Sequence, residues 1–245
     1  MNVLLAIPAR YGSSRFEGKP LTNIHGKTMI QRVVEQCQKV QAITSHQITV
    51  VVATDDQRIL EHASNFTLTL MTYANHESGT DRVAEVVTQL TQNFDVVINV
   101  QGDEPLIHPE QIVQLIDCFA NPDIQIATLI KPEEYHAGLD SPNTVKCVVN
   151  TSLKAIYFSR YLIPFHRNES VPTGKEFYRH IGMYGFKPNV LKALTQLPMS
   201  TLEKAECLEQ LRWIENGYEI QTAFTHFENI SVDSPEDLER VIARL

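Results

Sequence analysis

Nothing in this chain has the spacing of a cysteine-based site. Its four cysteines, Cys37, Cys118, Cys147 and Cys207, stand far apart and form no C-x-x-C pair. That excludes a zinc ribbon and a disulfide framework, and it suits reduced thiols. Excess positive charge is also missing. A formal net charge of −8 argues against a general nucleic-acid binder, which shows a basic face or stripe. An anionic partner would have to meet a local patch. No segment approaches the ~20 consecutive apolar residues that span a bilayer. The opening apolar run is too short for a secretion signal and leads into Arg10 rather than small residues, so the expected location is the cytoplasm, with no membrane partner. There is no internal repeat and no low-complexity tract. No G-x-G-x-x-G follows the first apolar run, which removes a dinucleotide oxidoreductase. The scattered histidines, His25, His46 and His136 among them, form no pattern for a Ser-His-Asp set.

What is present is concentrated first at residues 3–21, VLLAIPARYGSSRFEGKPL. Val3-Leu4-Leu5-Ala6-Ile7 reads as a buried strand, and Pro8 is expected to end its ladder. The loop that follows gathers Arg10, Gly12, Ser13, Ser14, Arg15, Gly18 and Lys19. Glycine lets backbone N–H groups approach a ligand closely. The cations add charge, arginine as a planar fork and lysine as a compact point. Such a loop suits a polyanion, most of all a triphosphate.

Downstream, apolar periodicity predicts a helix over 29–40 with Met29, Ile30, Val33, Val34, Cys37 and Val40 on one face. A β-branched run at 48–53 predicts a second strand. It ends in Thr54-Asp55-Asp56, with Thr54 or Asp55 as the cap of a helix over 57–64. A strand over 68–71, a polar loop at 76–82, a helix over 82–92 and a strand over 95–100 follow. That helix turns Val83, Val86, Val87 and Leu90 inward. Pro109 opens a helix that runs to Phe119. Strands alternating with helices predict an α/β fold with a doubly wound, mainly parallel, Rossmann-like sheet. The loops at 9–19, 54–56 and 101–105 then share the carboxyl edge of the sheet, where ligands bind.

The second half reads differently. Strands are expected over 145–150, 155–158, 180–186 and 219–224, and one helix over 202–217 with Leu208, Leu211 and Ile214 inward. A long polar connection over 159–178 suits a lid, a binding loop or an oligomer contact. Ser234 caps the closing helix, with Pro235 at its first position and Asp237 in its first turn.

Asp103, within Gln101-Gly102-Asp103-Glu104-Pro105, and Asp233 each follow a strand-like run. If both reach the sheet edge, they can share a hard cation such as magnesium with substrate phosphates. Taken alone, Asp233 reads better as a helix cap and Asp103 equally well as a turn residue. A cation held against a triphosphate suits nucleotidyl transfer, which asks for positioning and charge neutralisation rather than a covalent nucleophile.

In chain order, IPARYGSSR-x-x-GKPL, ATDD, SGTDR, NVQGDEP, FSR-x-x-IP, RHIGMYGF, LEQLR and VDSPEDL closely resemble the 3-deoxy-manno-octulosonate (Kdo) cytidylyltransferase family. The likeness runs nearly from end to end. It implies a nucleotide-diphospho-sugar transferase type of fold. It also implies a magnesium-dependent reaction of CTP with Kdo, giving CMP-Kdo and pyrophosphate for lipopolysaccharide assembly. On this resemblance Arg10, Ser13 and Lys19 hold the CTP phosphates, and Ala53 and Asp55 line the cytosine pocket. Ser78, Gly79, Thr80 and Arg82 close around the nucleotide, and Gln101 touches nucleotide or sugar. Asp103 and Asp233 carry magnesium and, with Arg10 and Lys19, make the catalytic set. The sugar side falls on Arg160, His180, Tyr184, Glu209 and Gln210, with Arg160 as a plausible fork for the Kdo carboxylate. The resemblance implies one domain over 1–245, its CTP part at 1–130 and its sugar and dimerisation part at 131–245. It also implies a homodimer with a contact inside 150–190.

Two departures stand out. Phe16-Glu17 replaces the family's Leu-Pro, so Glu17 is expected to face solvent, and 64–67 lacks the glycine-rich turn usual before the third strand. Two alternatives stay open: a different sugar acid, such as the 8-amino form of Kdo, and a nucleotide-binding module without turnover.

Overall fold

The computed structural model describes residues 1–12, 16–168 and 174–245. Its first strand, β1 (Asn2–Ala9), is the axis of the molecule. Side chains alternate across a strand, and here both faces are apolar. Val3, Leu5 and Ile7 enter one core, and Leu4 and Ala6 enter the other. Full burial of each large aliphatic side chain contributes about 1.5–3 kcal/mol.

A small hairpin, β2 (Asn23–Ile24) and β3 (Lys27–Thr28), leads into α1 (Met29–Ile43). The Thr28 hydroxyl caps that helix by accepting from the Gln31 N–H. The buried residues of α1 are the six its periodicity predicts. Then follow β4 (Gln47–Thr54), α2 (Gln57–Ala63), β5 (Leu68–Met71), α3 (Gly79–Gln89), β6 (Val96–Asn99) and α4 (Pro109–Asp117). The second half comprises β7 (Ile126–Glu134), β8 (Lys146–Val149), β9 (Ala155–Ser159), β10 (Glu176–Phe186), α5 (Pro188–Leu194), α6 (Thr201–Glu206), α7 (Gln210–Glu215), β11 (Gln221–Phe224) and α8 (Pro235–Ile242).

The sheet runs β11-β7-β10-β6-β1-β4-β5, with β8 attached to β10 and β9 to β8. On this path β10 runs against both neighbours, while β6, β1, β4 and β5 are mutually parallel and β11 follows β7. Helices α1, α2 and α4 bury their apolar stripes in one core. Helices α3, α5 and α7 bury theirs in the other. The sheet is doubly wound and mainly parallel, as expected.

Four local expectations are corrected. Pro8 does not end the ladder but sits in register with Ala53 inside β1. A strand residue points its N and O to the same side, and Ala6 accepts from the Val100 N–H beyond β6. Two residues on, the missing N–H of Pro8 faces the side where β6 has already ended at Asn99, so no ladder bond is lost. The cap of α2 is Asp56, whose carboxylate accepts from the Arg58 N–H, which leaves Asp55 for another partner. Helix α3 starts at Gly79, three residues early, because Ser78 and Asp81 form a reciprocal capping box.

The helix expected over 202–217 is two. Cys207 adopts φ 51°, in the left-handed region, and ends α6. The carbonyls of Glu206 and Cys207 accept from the Arg160 guanidinium at 2.7 and 3.1 Å, which satisfies groups a helix end leaves unpaired. Beyond these corrections, β7 fills a stretch for which no element is expected. Its buried half, Ile126 to Ile130, precedes Lys131, Pro132, Glu133 and Glu134.

Candidate active site

Strands β1, β4, β6 and β11 point the same way, so the loops at their carboxyl ends gather on one edge. Strand β10 comes in from the opposite direction, and Tyr184 pairs with Asn99, the last residue of β6. The half of β10 before Tyr184 therefore outruns β6 and walls that edge.

One cavity there, of about 350 Å³, is lined by Arg10, Gly12, Lys19, Gly79, Gln101 and Asp103 together with Pro8 and Gly102. Gly102 has a steric reason, since a Cβ on it would lie 2.7 Å from the Pro8 carbonyl oxygen. Gly18, at φ 70°, turns the chain so that Lys19 enters a short 3-10 turn with its side chain inward, 13% exposed. Its ammonium donates to Asp103 Oδ2 at 2.6 Å and to Asp233 Oδ1 at 3.5 Å. The two distant aspartates thus meet on one cation.

Around this centre the other expected nucleotide residues are placed unequally. Arg10 is exposed and reaches the His76 carbonyl at 3.5 Å. Ser13 lies outside the described residues, as do Ser14 and Arg15. Glu17 is exposed, as expected. Ala53 is buried near the end of β4. Asp55 accepts from Arg82 at 2.8 Å, and Arg82, fully buried, also donates to the Thr72 hydroxyl. Arg82 therefore backs Asp55 rather than closing over a ligand. Ser78 is held in its capping box, and the Thr80 hydroxyl donates to Glu209 Oε2 at 2.7 Å. That bond joins the start of α3 to the start of α7.

A second cavity, of about 610 Å³, is lined by Arg160, His180, Tyr184, Gln210 and Asp233, and it shares Gln101 and Asp103 with the first. Four of the expected sugar residues are therefore together, next to the expected phosphate residues. A bulge between Ile181 and Tyr184 presents the Gly182 carbonyl, which accepts from Gln101 Nε2 at 2.9 Å. Gln101 is fixed at the junction.

Arg160 spends part of its fork on three carbonyls, those of Pro142, Glu206 and Cys207. Burial, with the Arg179 charge nearby, pushes the His180 imidazole down to about 3, so the ring is neutral near pH 7. It packs edge-on to Phe158 at 4.9 Å. The Tyr184 hydroxyl is buried and has no hydrogen-bond partner among the described residues. Burial raises its pKa, and it stays an O–H donor. Burial also raises Glu209, against the pull of the Thr80 and Ser78 hydroxyls. Glu209 thus faces the nucleotide side, and the sugar cavity is lined by its neighbour Gln210. The same cavity includes Asn143 and Ser231, which the sequence reading passes over. Asn143 lies in an aperiodic turn and gives no signal, whereas Ser231 stands two residues from Asp233.

The donor set suits magnesium. Both aspartate oxygens lie within 3.5 Å of the single Lys19 nitrogen, so the two carboxylates face one cationic position. No group of three or more His, Cys, Asp and Glu side chains forms a metal cluster among the described residues. One or two carboxylates, completed by water and phosphate oxygens, is the ordinary magnesium environment.

A family model described as cytidylyltransferase matches residues 4–222. A 3-deoxy-manno-octulosonate cytidylyltransferase of Parabacteroides distasonis is 47% identical over 254 residues, covering 100% of this chain and 98% of the relative. An 8-amino-3,8-dideoxy-manno-octulosonate cytidylyltransferase of Shewanella halifaxensis is 43% identical, covering 100% and 99%. The solved structure of a CMP:2-keto-3-deoxy-manno-octonic acid synthetase complexed with CTP superposes with a TM-score of 0.91 at 40% identity, covering 100% of this chain and 98% of that one.

Proposed function

The chain belongs to the cytidylyltransferase family, and from that premise we propose that it transfers CMP from CTP to the anomeric hydroxyl of Kdo, giving CMP-Kdo and pyrophosphate. One observation carries the reading. Lys19, Asp103 and Asp233 meet where a cavity lined by the phosphate-loop residues borders one lined by Arg160, His180, Tyr184 and Gln210.

The anomeric oxygen attacks the α-phosphorus and a new P–O bond forms, the bond from that phosphorus to the oxygen bridging to the β-phosphate breaks, and the hydroxyl proton passes to solvent. Arg10 and Lys19 lie on the phosphate side, where their charges offset the charge that builds on the departing pyrophosphate. Asp103 and Asp233 would hold magnesium, which when bound neutralises the triphosphate and draws its oxygens into place. On the sugar side Tyr184 supplies a buried O–H, and Gln101 and Gln210 supply amides. His180, held neutral, can donate or accept without adding charge. Positioning of this kind supplies most of what in-line transfer needs.

Magnesium as the working metal, a homodimer, a cytoplasmic location and a place in lipopolysaccharide assembly belong to the same proposal. Among the described residues no helix is long and apolar enough to cross a membrane. A second reading, transfer to the 8-amino form of Kdo, is favoured by the relative from Shewanella halifaxensis, which carries that name.

Pyrophosphate release separates these readings when the common nucleoside triphosphates are crossed with Kdo, 8-amino-Kdo and sialic acid. Turnover with CTP and Kdo is expected to exceed every other pair. Faster turnover with the 8-amino sugar would replace the first reading by the second, and no release with any sugar acid would remove both.

A further inference from the structure

Asp103 and Asp233 sit on loops that leave different strands, and Lys19 grips the second of them at only 3.5 Å. Their separation also depends on how the two loops are joined. Two hydrogen bonds join the loops. The Val232 N–H donates to the Asp103 carbonyl at 2.9 Å, and Asn229 Nδ2 donates to Glu104 Oε2 at 2.6 Å. Glu104 is 7% exposed, and Asn229 Oδ1 is buried with no hydrogen-bond partner among the described residues. Taking such groups out of water is unfavourable unless the bond they make is needed.

The rest of the loop is pinned to match. Phe227 stacks on His108 with ring centroids 3.9 Å apart, and Glu228 pairs with Lys131 of β7 and Arg179 of β10. We propose that Asn229 and Glu104 are positioning residues that hold Asp233 against Asp103 at the spacing a divalent cation requires. This rests on the reading of those aspartates as the magnesium carriers.

The test is Mn2+ titrated into enzyme holding one equivalent of CTP and no sugar acid, with unbound Mn2+ read by electron paramagnetic resonance. Turnover is measured in parallel. Asn229→Leu is expected to weaken Mn2+ binding about tenfold or more, in the range for lost support of a metal ligand. It should raise the divalent concentration for half-maximal turnover by a similar factor while the KM for Kdo stays within about threefold. Glu104→Gln, whose amide oxygen still accepts from Asn229, should stay within about threefold of wild type in both readouts.

If Asn229→Leu does not fold, the double variant Glu104→Met, Asn229→Leu replaces the pair with apolar groups of similar size and should show the same loss. Wild-type Mn2+ affinity in either folded variant overturns the proposal. So does a Glu104→Gln loss equal to that of Asn229→Leu, which would place the effect in the carboxylate charge. Asp103→Asn is the control for the premise. If it binds Mn2+ as wild type does, the magnesium reading falls first and the positioning role with it.

Discussion

Lys19 bridges two carboxylates at once, and this sets what substitutions around it do. Removing its charge takes from Asp103 its 2.6 Å ion pair and from the phosphate cavity one of its lining cations. Lys19→Ala is expected to raise the KM for CTP at least about tenfold and to leave that for Kdo within about threefold; an unchanged CTP constant would count against the loop's role. Asp103→Asn or Asp233→Asn should abolish pyrophosphate release while the circular dichroism spectrum stays native, and full activity in either would remove the metal assignment.

His180 gives a pH dependence with a definite sign. Its pKa is about 3 in the folded chain and about 6.5 when unfolded. Between those values the unfolded state binds a proton that the folded state does not, so stability falls as pH falls below about 6.5. The slope approaches ~1.4 kcal/mol per pH unit. Urea unfolding at pH 6.5 and 4.5 should show wild type losing roughly 2–3 kcal/mol more than His180→Gln over that interval. Equal losses would mean that the imidazole takes up a proton in the fold.

At the scale of elements, the α6–α7 pair depends on side-chain support. The break at Cys207 removes the continuous backbone ladder, and the two short helices are held by Arg212 and Glu203. These are 8% and 6% exposed, and their side chains pair at 2.5 Å. Arg212 also donates to the Leu197 carbonyl at 3.1 Å. Arg212→Ala leaves Glu203 buried without its partner, a loss of about 3–5 kcal/mol that denaturant unfolding would register as a lower midpoint with little change in slope. A loss below about 1 kcal/mol would show that water reaches the pair.

The same element explains why sequence reading falls short here. Leu208, Leu211 and Ile214 keep helical spacing from just after the break, and neither Gly nor Pro marks Cys207. The carbonyls at the break are taken up by Arg160, which is remote in sequence. Where local chemistry decides the outcome, as in the α1 stripe or the Ser234–Asp237 capping box of α8, the prediction matches the structure. The site follows the same division. Lys19 is legible from its own loop, and Asp103, Asp233 and Gln101 gain their roles through the family resemblance, whereas Arg82 turning back to Asp55 and Glu209 turning to Thr80 depend on packing between elements distant in sequence.

At the scale of the whole molecule, the surface beyond the site carries its own signal. Ile156, Tyr161 and Phe165 are 55%, 77% and 80% exposed, all inside the 150–190 stretch where a subunit contact is expected. Ile156 lies on β9, which pairs only with β8 in the sheet described here, and an edge strand bearing apolar side chains favours association. Isolated apolar side chains on a surface are ordinary, and what singles these out is that all three fall in the stretch where the resemblance implies a contact. The expectation is a dimer that covers them. Sedimentation velocity at micromolar concentration should give the mass of two chains, and Tyr161→Asp with Phe165→Asp should raise the dissociation constant at least about tenfold, since each buried charge is costly. Wild-type sedimentation as a single chain would leave these side chains without the proposed contact, and a dimer unchanged by the double substitution would place the interface elsewhere on the surface.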